Sequence, residues 1–280
     1  MDPSPGADGT VSEPFYRVLA EDPGGAQVVA TSATAGPWFP GAQHMGPPSA
    51  LLTRALERAA PRDDVRLARL TVEVLGRVPL GEMAVTARVE RAGRTIELVT
   101  AELVAGGRAV ARAAGWFHGV VGTEAAGPAP GGAAGPLPGP EEGTTRALPA
   151  GWLPGYLDAV EWRWIAGALD VPGPGRAWGR LRVPVVEGPD GTPEEPTPSQ
   201  RVAAIADSTN GLASRLDLNA WLFVNTDLTL HLHRPPEGEW VGLDADSVIG
   251  PQGAGTAFSV VHDARGPVAR AAQALTVRPR

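Results

Sequence analysis

The chain has 280 residues, 43% of them hydrophobic, a formal net charge of -7, and neither cysteine nor lysine. That supports sizeable cores and excludes disulfides, thiolate nucleophiles, cysteine metal sites, lysine Schiff bases and a P-loop lysine. An acidic chain without a basic cluster is not expected to bind nucleic acid.

Residues 1–12 are polar and rich in Gly and Pro and are expected to be frayed. Their start, Met1-Asp2-Pro3-Ser4-Pro5, lacks the basic and apolar regions of a signal peptide. No apolar run in the chain approaches the roughly 18 residues of a spanning helix. The expectation is a cytoplasmic protein with no membrane partner. A first module is expected over 13–118. Its helix, Ala50 to Ala59, starts at Pro47-Pro48-Ser49 and stops before Pro61. Strands follow: Leu70, Val72 and Val74 alternate with polar neighbours, as do Val85, Ala87 and Val89. Arg91-Ala92-Gly93-Arg94 predicts a turn before Thr95 to Leu103, and Ala105-Gly106-Gly107-Arg108 a turn before Ala109 to His118.

Residues 119–149, with Pro128-Ala129-Pro130-Gly131-Gly132 and Pro136-Leu137-Pro138-Gly139-Pro140, read as an extended linker. A second module over 150–280 repeats the plan: helix Ser199 to Leu216, then strands Trp221 to Leu232, Gly238 to Ile249, Thr256 to His262 and Val268 to Val277. The repetition is literal in places. Val110-Ala111-Arg112-Ala113-Ala114 recurs as Val268-Ala269-Arg270-Ala271-Ala272, 158 positions on, and the same offset lays Leu70-Thr71-Val72 over Leu228-Thr229-Leu230. The chain is one α+β unit written twice, a pseudo-dimer. At that offset Ser49 meets Asp207, Arg69 meets Asp227 and Gly115 meets Gln273, so the distinctive polar groups lie in the second copy.

These elements, with the words Gly36-Pro37-Trp38-Phe39-Pro40-Gly41-Ala42-Gln43-His44-Met45-Gly46-Pro47-Pro48 and Asn225-Thr226-Asp227-Leu228-Thr229-Leu230-His231-Leu232-His233-Arg234-Pro235, resemble the acyl-CoA thioesterase II type of double hotdog protein. The resemblance runs from about Phe15 to the end. It implies two antiparallel sheets, each wrapped round a long helix, and hydrolysis of an acyl-CoA or acyl-carrier thioester by a held water, without cofactor or metal. It further implies an Asp on the second helix, a Thr or Asn on the next strand and a Gln on the last strand. In this chain these are Asp207, Asn225 with Thr226 as reserve, and Gln273. Strand alternation favours Asn225, by putting Asn225, Asp227, Thr229 and His231 on one face and Thr226, Leu228 and Leu230 on the other. Met45 departs from the family's usual Gly.

Thioester hydrolysis needs a positioned water, a base and donors for the oxyanion. Asp207 is the expected base and no covalent intermediate is required. His44, Gly46 and Ser49, at the start of the first helix, are the expected substrate-binding residues, through backbone amides at the positive helix end. Two other readings use the same residues. One is an accessory protein that binds acyl thioesters without cleaving them. The other is a lyase or dehydratase built on His44, whose acid further along the helix is Glu57. His231 and His233 share a strand face without a third metal ligand. The eight Trp are expected in core and interface packing, some lining an acyl pocket. Association into a homodimer is the expected further assembly.

Overall fold

The computed structural model describes residues 13–123, 136–149, 152 and 154–280. The first half begins with a hairpin, β1 (Tyr16–Asp22) and β2 (Gly25–Ala30), and continues with α1 (Gly46–Ala59), β3 (Val65–Val74), β4 (Gly81–Arg91), β5 (Ile96–Ala105) and β6 (Arg108–Gly119). The second half has α2 (Tyr156–Ala159), β7 (Val160–Ala168), β8 (Val171–Leu181), β9 (Val186–Glu187), α3 (Pro198–Ala206), α4 (Thr209–Leu212), β10 (Trp221–Asn225), β11 (Asp227–Leu232), β12 (Val241–Ile249), β13 (Ala254–Asp263) and β14 (Gly266–Pro279). Both bounds of β5 and β13 differ by 158, so the repeat offset holds through the sheets. No helix among the described residues is long and apolar enough to cross a membrane.

All strands belong to one sheet, in the order β7-β8-β12-β13-β14-β11-β3-β6-β5-β4-β2-β1-β9, with β10 also paired to β14. The two halves meet at β3 and β11, antiparallel with Leu70 opposite Leu230 and Thr71 opposite Thr229. Each copy thus supplies the strand that the other would otherwise expose as an edge. β9 crosses back to pair parallel with β1 at the far edge.

The helices lie on one face. α1 packs on β4, β5 and β6; α3 and α4 pack on β8, β12 and β13; α1 and α3 pack on each other. Pro47 and Pro48 fit the first turn of α1, where no intrahelical N–H is needed, and Pro61 prevents its extension. Leu51, Leu52 and Leu56 are wholly buried, each worth about 1.5–3 kcal/mol of transfer free energy. Gly115 on β6 faces this helix. A Cβ there would stand 3.1 Å from both Leu56 Cδ1 and Leu67 Cδ1, so the first copy has no room for the side chain that its counterpart Gln273 carries.

The structure departs from the expected plan in four places. First, the hairpin β1–β2 and strands β7 and β8 were not read from the sequence. The former is closed by Asp22, whose Oδ1 accepts the N–H groups of Gly24 (2.7 Å) and Gly25 (3.1 Å). Second, the helix expected from Ser199 to Leu216 breaks after Ala206 and ends at Leu212. Asp207, Ser208, Thr209 and Asn210 follow one another there, and such side chains compete for the backbone: Thr209 Oγ1 donates to the Ala206 carbonyl at 2.8 Å. Third, α3 starts at Pro198, six residues before the position that the offset assigns to Gly46. Ser49 in the fourth position of α1 is therefore no counterpart of Asp207, which follows the ninth residue of α3. Fourth, residues 136–149 of the expected linker dock on the second half. Thr144 exchanges backbone hydrogen bonds with Trp164 (2.9 and 2.8 Å), and the Trp178 indole donates to the Pro138 carbonyl at 2.6 Å. The expected frayed end, 1–12, and residues 124–135 lie outside the described residues.

Candidate active site

The break between α3 and α4 places Asp207 where three elements converge. Its side chain is 3% exposed. Asn225, at the end of β10, donates from Nδ2 to Asp207 Oδ1 at 2.8 Å and to the Asp227 carbonyl at 3.2 Å. Gln273 on β14 donates from Nε2 to the Asp207 carbonyl at 3.0 Å and to Oδ1 at 3.2 Å, while its Oε1 accepts Asn210 N–H at 3.0 Å. All four amide hydrogens of Asn225 and Gln273 are thereby used within the protein, two of them on the Asp207 carboxyl and two on backbone carbonyls. Asn225 Oδ1 accepts nothing among the described residues.

Thr226 is exposed and turned away, its hydroxyl 3.4 Å from the Ala274 carbonyl. The reason differs from the alternation expected. The register of β14 shifts by one between its pairing with β10 (Asn225 opposite Leu275) and with β11 (Thr229 opposite Ala272), so Thr226 is a bulge. The bulge reverses the faces. Asn225 therefore points inward on the side of Leu228 and Leu230, not on the side of Asp227 and Thr229.

The other oxygen of Asp207 faces the first half: Oδ2 lies 3.2 Å from His44 Nδ1. That nitrogen also accepts Gly46 N–H at 3.0 Å, which puts the proton of a neutral imidazole on Nε2. His44 is stacked on Tyr156, centroids 3.9 Å apart and planes at 10°. Tyr156 donates to the Ala204 carbonyl at 2.8 Å, so the 2.9 Å contact with Ser208 Oγ is a hydrogen bond given by Ser208. Burial holds the Tyr156 phenol well above its ordinary range. Gly46 fits only as glycine, since a Cβ would stand 2.4 Å from the Ala204 carbonyl and 2.8 Å from the Tyr156 ring.

Burial sets the protonation of this cluster. It pushes the Asp207 carboxyl up to about 7, against the opposing pull of the Asn225 and Gln273 hydrogen bonds. It lowers His44 to about 3. Near neutrality His44 is uncharged and Asp207 is poised between its two forms. The lone pair on Nδ1 acts in the same sense as burial, because two acceptors 3.2 Å apart repel unless the carboxyl carries a proton.

The remaining expected residues fall elsewhere. Ser49 is wholly buried in α1 with its hydroxyl unpartnered, and it does not border the cavity beside His44. Gly46 N–H is taken by His44, and Pro47 and Pro48 have none, so the first turn of α1 offers no free amide. Glu57 accepts from Thr197 Oγ1 (3.0 Å) and Gln200 Nε2 (2.8 Å) at the start of α3, so the acid beside His44 is Asp207. His231 is exposed and His233 Nε2 is 3.0 Å from the Pro267 carbonyl. Among the described residues no group of three His, Cys, Asp or Glu is arranged to hold a metal.

His44 and Ser208 border a cavity of about 240 Å³, walled by Trp38, Trp162, Trp164, Leu157, Leu169 and Leu212. Trp38 comes from the first half and meets Phe223 edge-on at 5.1 Å, so both copies build the pocket. Arg146 and Arg182 are exposed at its mouth, without an ion-pair partner among the described residues. Some Trp are expected to line a pocket, as Trp38, Trp152, Trp162 and Trp164 do, whereas nothing in the sequence singles out Tyr156 or Ser208. Tyr156 lies in a short turn of helix with no periodic signal.

Two family models match the chain, one described as the acyl-CoA thioesterase N-terminal domain over residues 34–118 and the other as the C-terminal domain over 138–277. No curated protein matches. Among solved structures, a hot dog fold protein of unknown function from Alicyclobacillus acidocaldarius aligns with TM-score 0.75 at 15% identity, covering 92% of this chain and 95% of that one. The tesB protein of Mycobacterium avium subspecies paratuberculosis aligns with TM-score 0.65 at 15% identity, over 94% and 96%. Acyl-CoA thioesterase II TesB2 of Mycobacterium marinum aligns with TM-score 0.63 at 15% identity, over 91% and 93%. The fold is the double hotdog, α+β in class.

Proposed function

Because this chain belongs to the acyl-CoA thioesterase family, we propose that it hydrolyses acyl-CoA or acyl-carrier thioesters by direct attack of water, with Asp207 as general base. The observation that carries this reading is a buried carboxyl, held on one oxygen by two amides and poised near neutrality, beside His44 and Ser208, which border a tryptophan-walled cavity. Ionised Asp207 takes a proton as water attacks the thioester carbonyl. The C–S bond then breaks, and the proton passes from Asp207 to the departing thiolate, giving acid and free thiol.

The amides act on the base. Asn225 and Gln273 fix the carboxyl and favour its charged form, and Asn225 Oδ1 is left to accept from the water. His44 is the donor for the developing oxyanion: its Nε2–H has no protein partner among the described residues and its ring borders the cavity. Gly46 acts through His44 by fixing its tautomer. Arg146 and Arg182 at the mouth suit the phosphates of the carrier. No covalent intermediate and no cofactor are needed.

The test is release of free thiol from acyl-CoA esters by wild type beside Asp207→Asn. Loss of about 10²–10⁴-fold in kcat with the ester still bound supports the assignment. Undiminished turnover removes Asp207 as base. No turnover by either protein, with ester bound, favours the accessory reading.

A further inference from the structure

Tyr156 holds both members of the His44–Asp207 pair, although these come from different halves of the chain. Its backbone N–H donates to the Ala35 carbonyl at 3.0 Å, just after the turn Ser32–Thr34, whose Thr34 carbonyl accepts His44 N–H at 2.8 Å. The approach is close: a Cβ on the preceding Gly155 would stand 2.4 Å from the same Ala35 carbonyl. Its ring lies flat on the His44 imidazole, centroids 3.9 Å apart, with the Phe15 centroid 6.2 Å from its own. Its hydroxyl bonds the Ala204 carbonyl and Ser208 Oγ, which flank Asp207 in the chain.

The lone pair of Nδ1 lies in the plane of the imidazole. The ring must therefore keep one tilt for that nitrogen to meet Gly46 N–H at 3.0 Å and Asp207 Oδ2 at 3.2 Å. A parallel ring in van der Waals contact fixes that tilt. It also keeps water from one face of the imidazole, and burial is what holds His44 uncharged. The other titratable or charged groups near the ring are Asp207 at the break after α3 and, along the cavity, Asp158, Asp170, Arg146 and Arg182. At the far end of the phenol, the two hydrogen bonds pin the last turn of α3 where the helix breaks, and so set where the Asp207 carboxyl stands.

We infer that Tyr156 is a positioning residue that sets the register of His44 against Asp207, its ring acting through His44 and its hydroxyl through the end of α3. Tyr156 is wholly buried and does not border the cavity, so it acts through the pair and not on substrate. Its effect on turnover rests on the thioesterase reading above; its effect on His44 does not.

The experiment compares wild type with Tyr156→Phe, which keeps the ring, and with Tyr156→Leu and Tyr156→Met, which do not. Hydrolysis of a panel of acyl-CoA esters gives kcat and KM. The imidazole nitrogen resonances of ¹⁵N-histidine-labelled protein, with His44 assigned through His44→Gln, give its tautomer and charge without substrate. Tyr156→Phe should lose about tenfold in kcat, as for net hydrogen bonds removed, with KM unchanged and His44 still a single neutral Nε2–H tautomer. The Leu and Met variants should lose about 100-fold, as for a displaced reacting group. In them the two His44 nitrogens should converge and the ring should take a proton toward its ordinary value of 6.5. Wild-type kcat in Tyr156→Phe would overturn the inference, as would a wild-type His44 signature in whichever of the Leu and Met variants folds. So would a raised KM with kcat unchanged, which would put the phenol on substrate. If wild type cleaves none of the esters, the thioesterase reading fails and the His44 resonances alone decide: convergence in the Leu or Met variant would uphold the inference, and an unaltered signature would sink it.

Discussion

Replacing Asp207 by Asn tests the protonation of the site through folding stability, independently of any substrate. Burial raises the Asp207 carboxyl from 3.8 to about 7 in the folded chain, so between these values the folded protein holds a proton that the unfolded chain has lost. Stability from this group is therefore present at low pH and falls as pH rises through that window. The span is roughly 3 pH units at about 1.4 kcal/mol each, or about 4 kcal/mol. His44 works in the opposite direction. Its folded pKa is depressed from 6.5 to about 3, so its cost appears as pH falls below 6.5 and the unfolded chain takes up the proton. In wild type the two nearly cancel from about pH 4 to 6.5, because the proton on Asp207 replaces the one missing from His44. In Asp207→Asn only the His44 effect remains. Urea unfolding of both proteins at intervals from pH 4 to 7 gives the difference in ΔG, from which His44 and all other groups drop out. Wild-type stability minus that of the variant should shrink by about 4 kcal/mol from pH 4 to pH 7. A difference constant to within about 1 kcal/mol would refute the buried, proton-holding carboxyl.

Further outcomes follow from the same geometry. Wild-type kcat/KM should rise with pH to a plateau above about 7 as Asp207 ionises, and Asn225→Ala, which removes the 2.8 Å donor, should move that limb to higher pH. Gly46→Ala, with its Cβ driven against the Ala204 carbonyl and Tyr156, should cost about 1–3 kcal/mol in thermal unfolding and lower kcat by displacing His44. Arg146→Ala with Arg182→Ala should raise KM for CoA esters about tenfold, leave that for truncated pantetheine esters unchanged, and weaken the salt dependence of KM.

The sequence carried the duplication plainly, because strand patterns and the repeated Val-Ala-Arg-Ala-Ala survive wherever both copies build the same sheet. It was a poor guide at the helix. There the second copy is shifted, and the run Asp207-Ser208-Thr209-Asn210 ends α3 where propensity alone continues it to Leu216. Strand alternation favours Asn225 over Thr226, yet the bulge at Thr226 breaks that alternation, so the expected residue reaches Asp207 from the opposite face. Tyr156, Ser208 and the choice of which Trp line the pocket are illegible because they come from segments far apart in sequence that meet only when β7, β8 and the loop before α1 close over α3. Local periodicity holds no trace of such meetings.

The central claim is direct attack of water with no acyl-enzyme. It is tested most directly by a single turnover in H₂¹⁸O, with enzyme in excess over acyl-CoA, followed by mass analysis of the acid and of the peptide holding Asp207. The account predicts one ¹⁸O in the acid released in that first turnover and none in the peptide. Unlabelled acid, with ¹⁸O in the Asp207 carboxyl, would show an anhydride intermediate and contradict it.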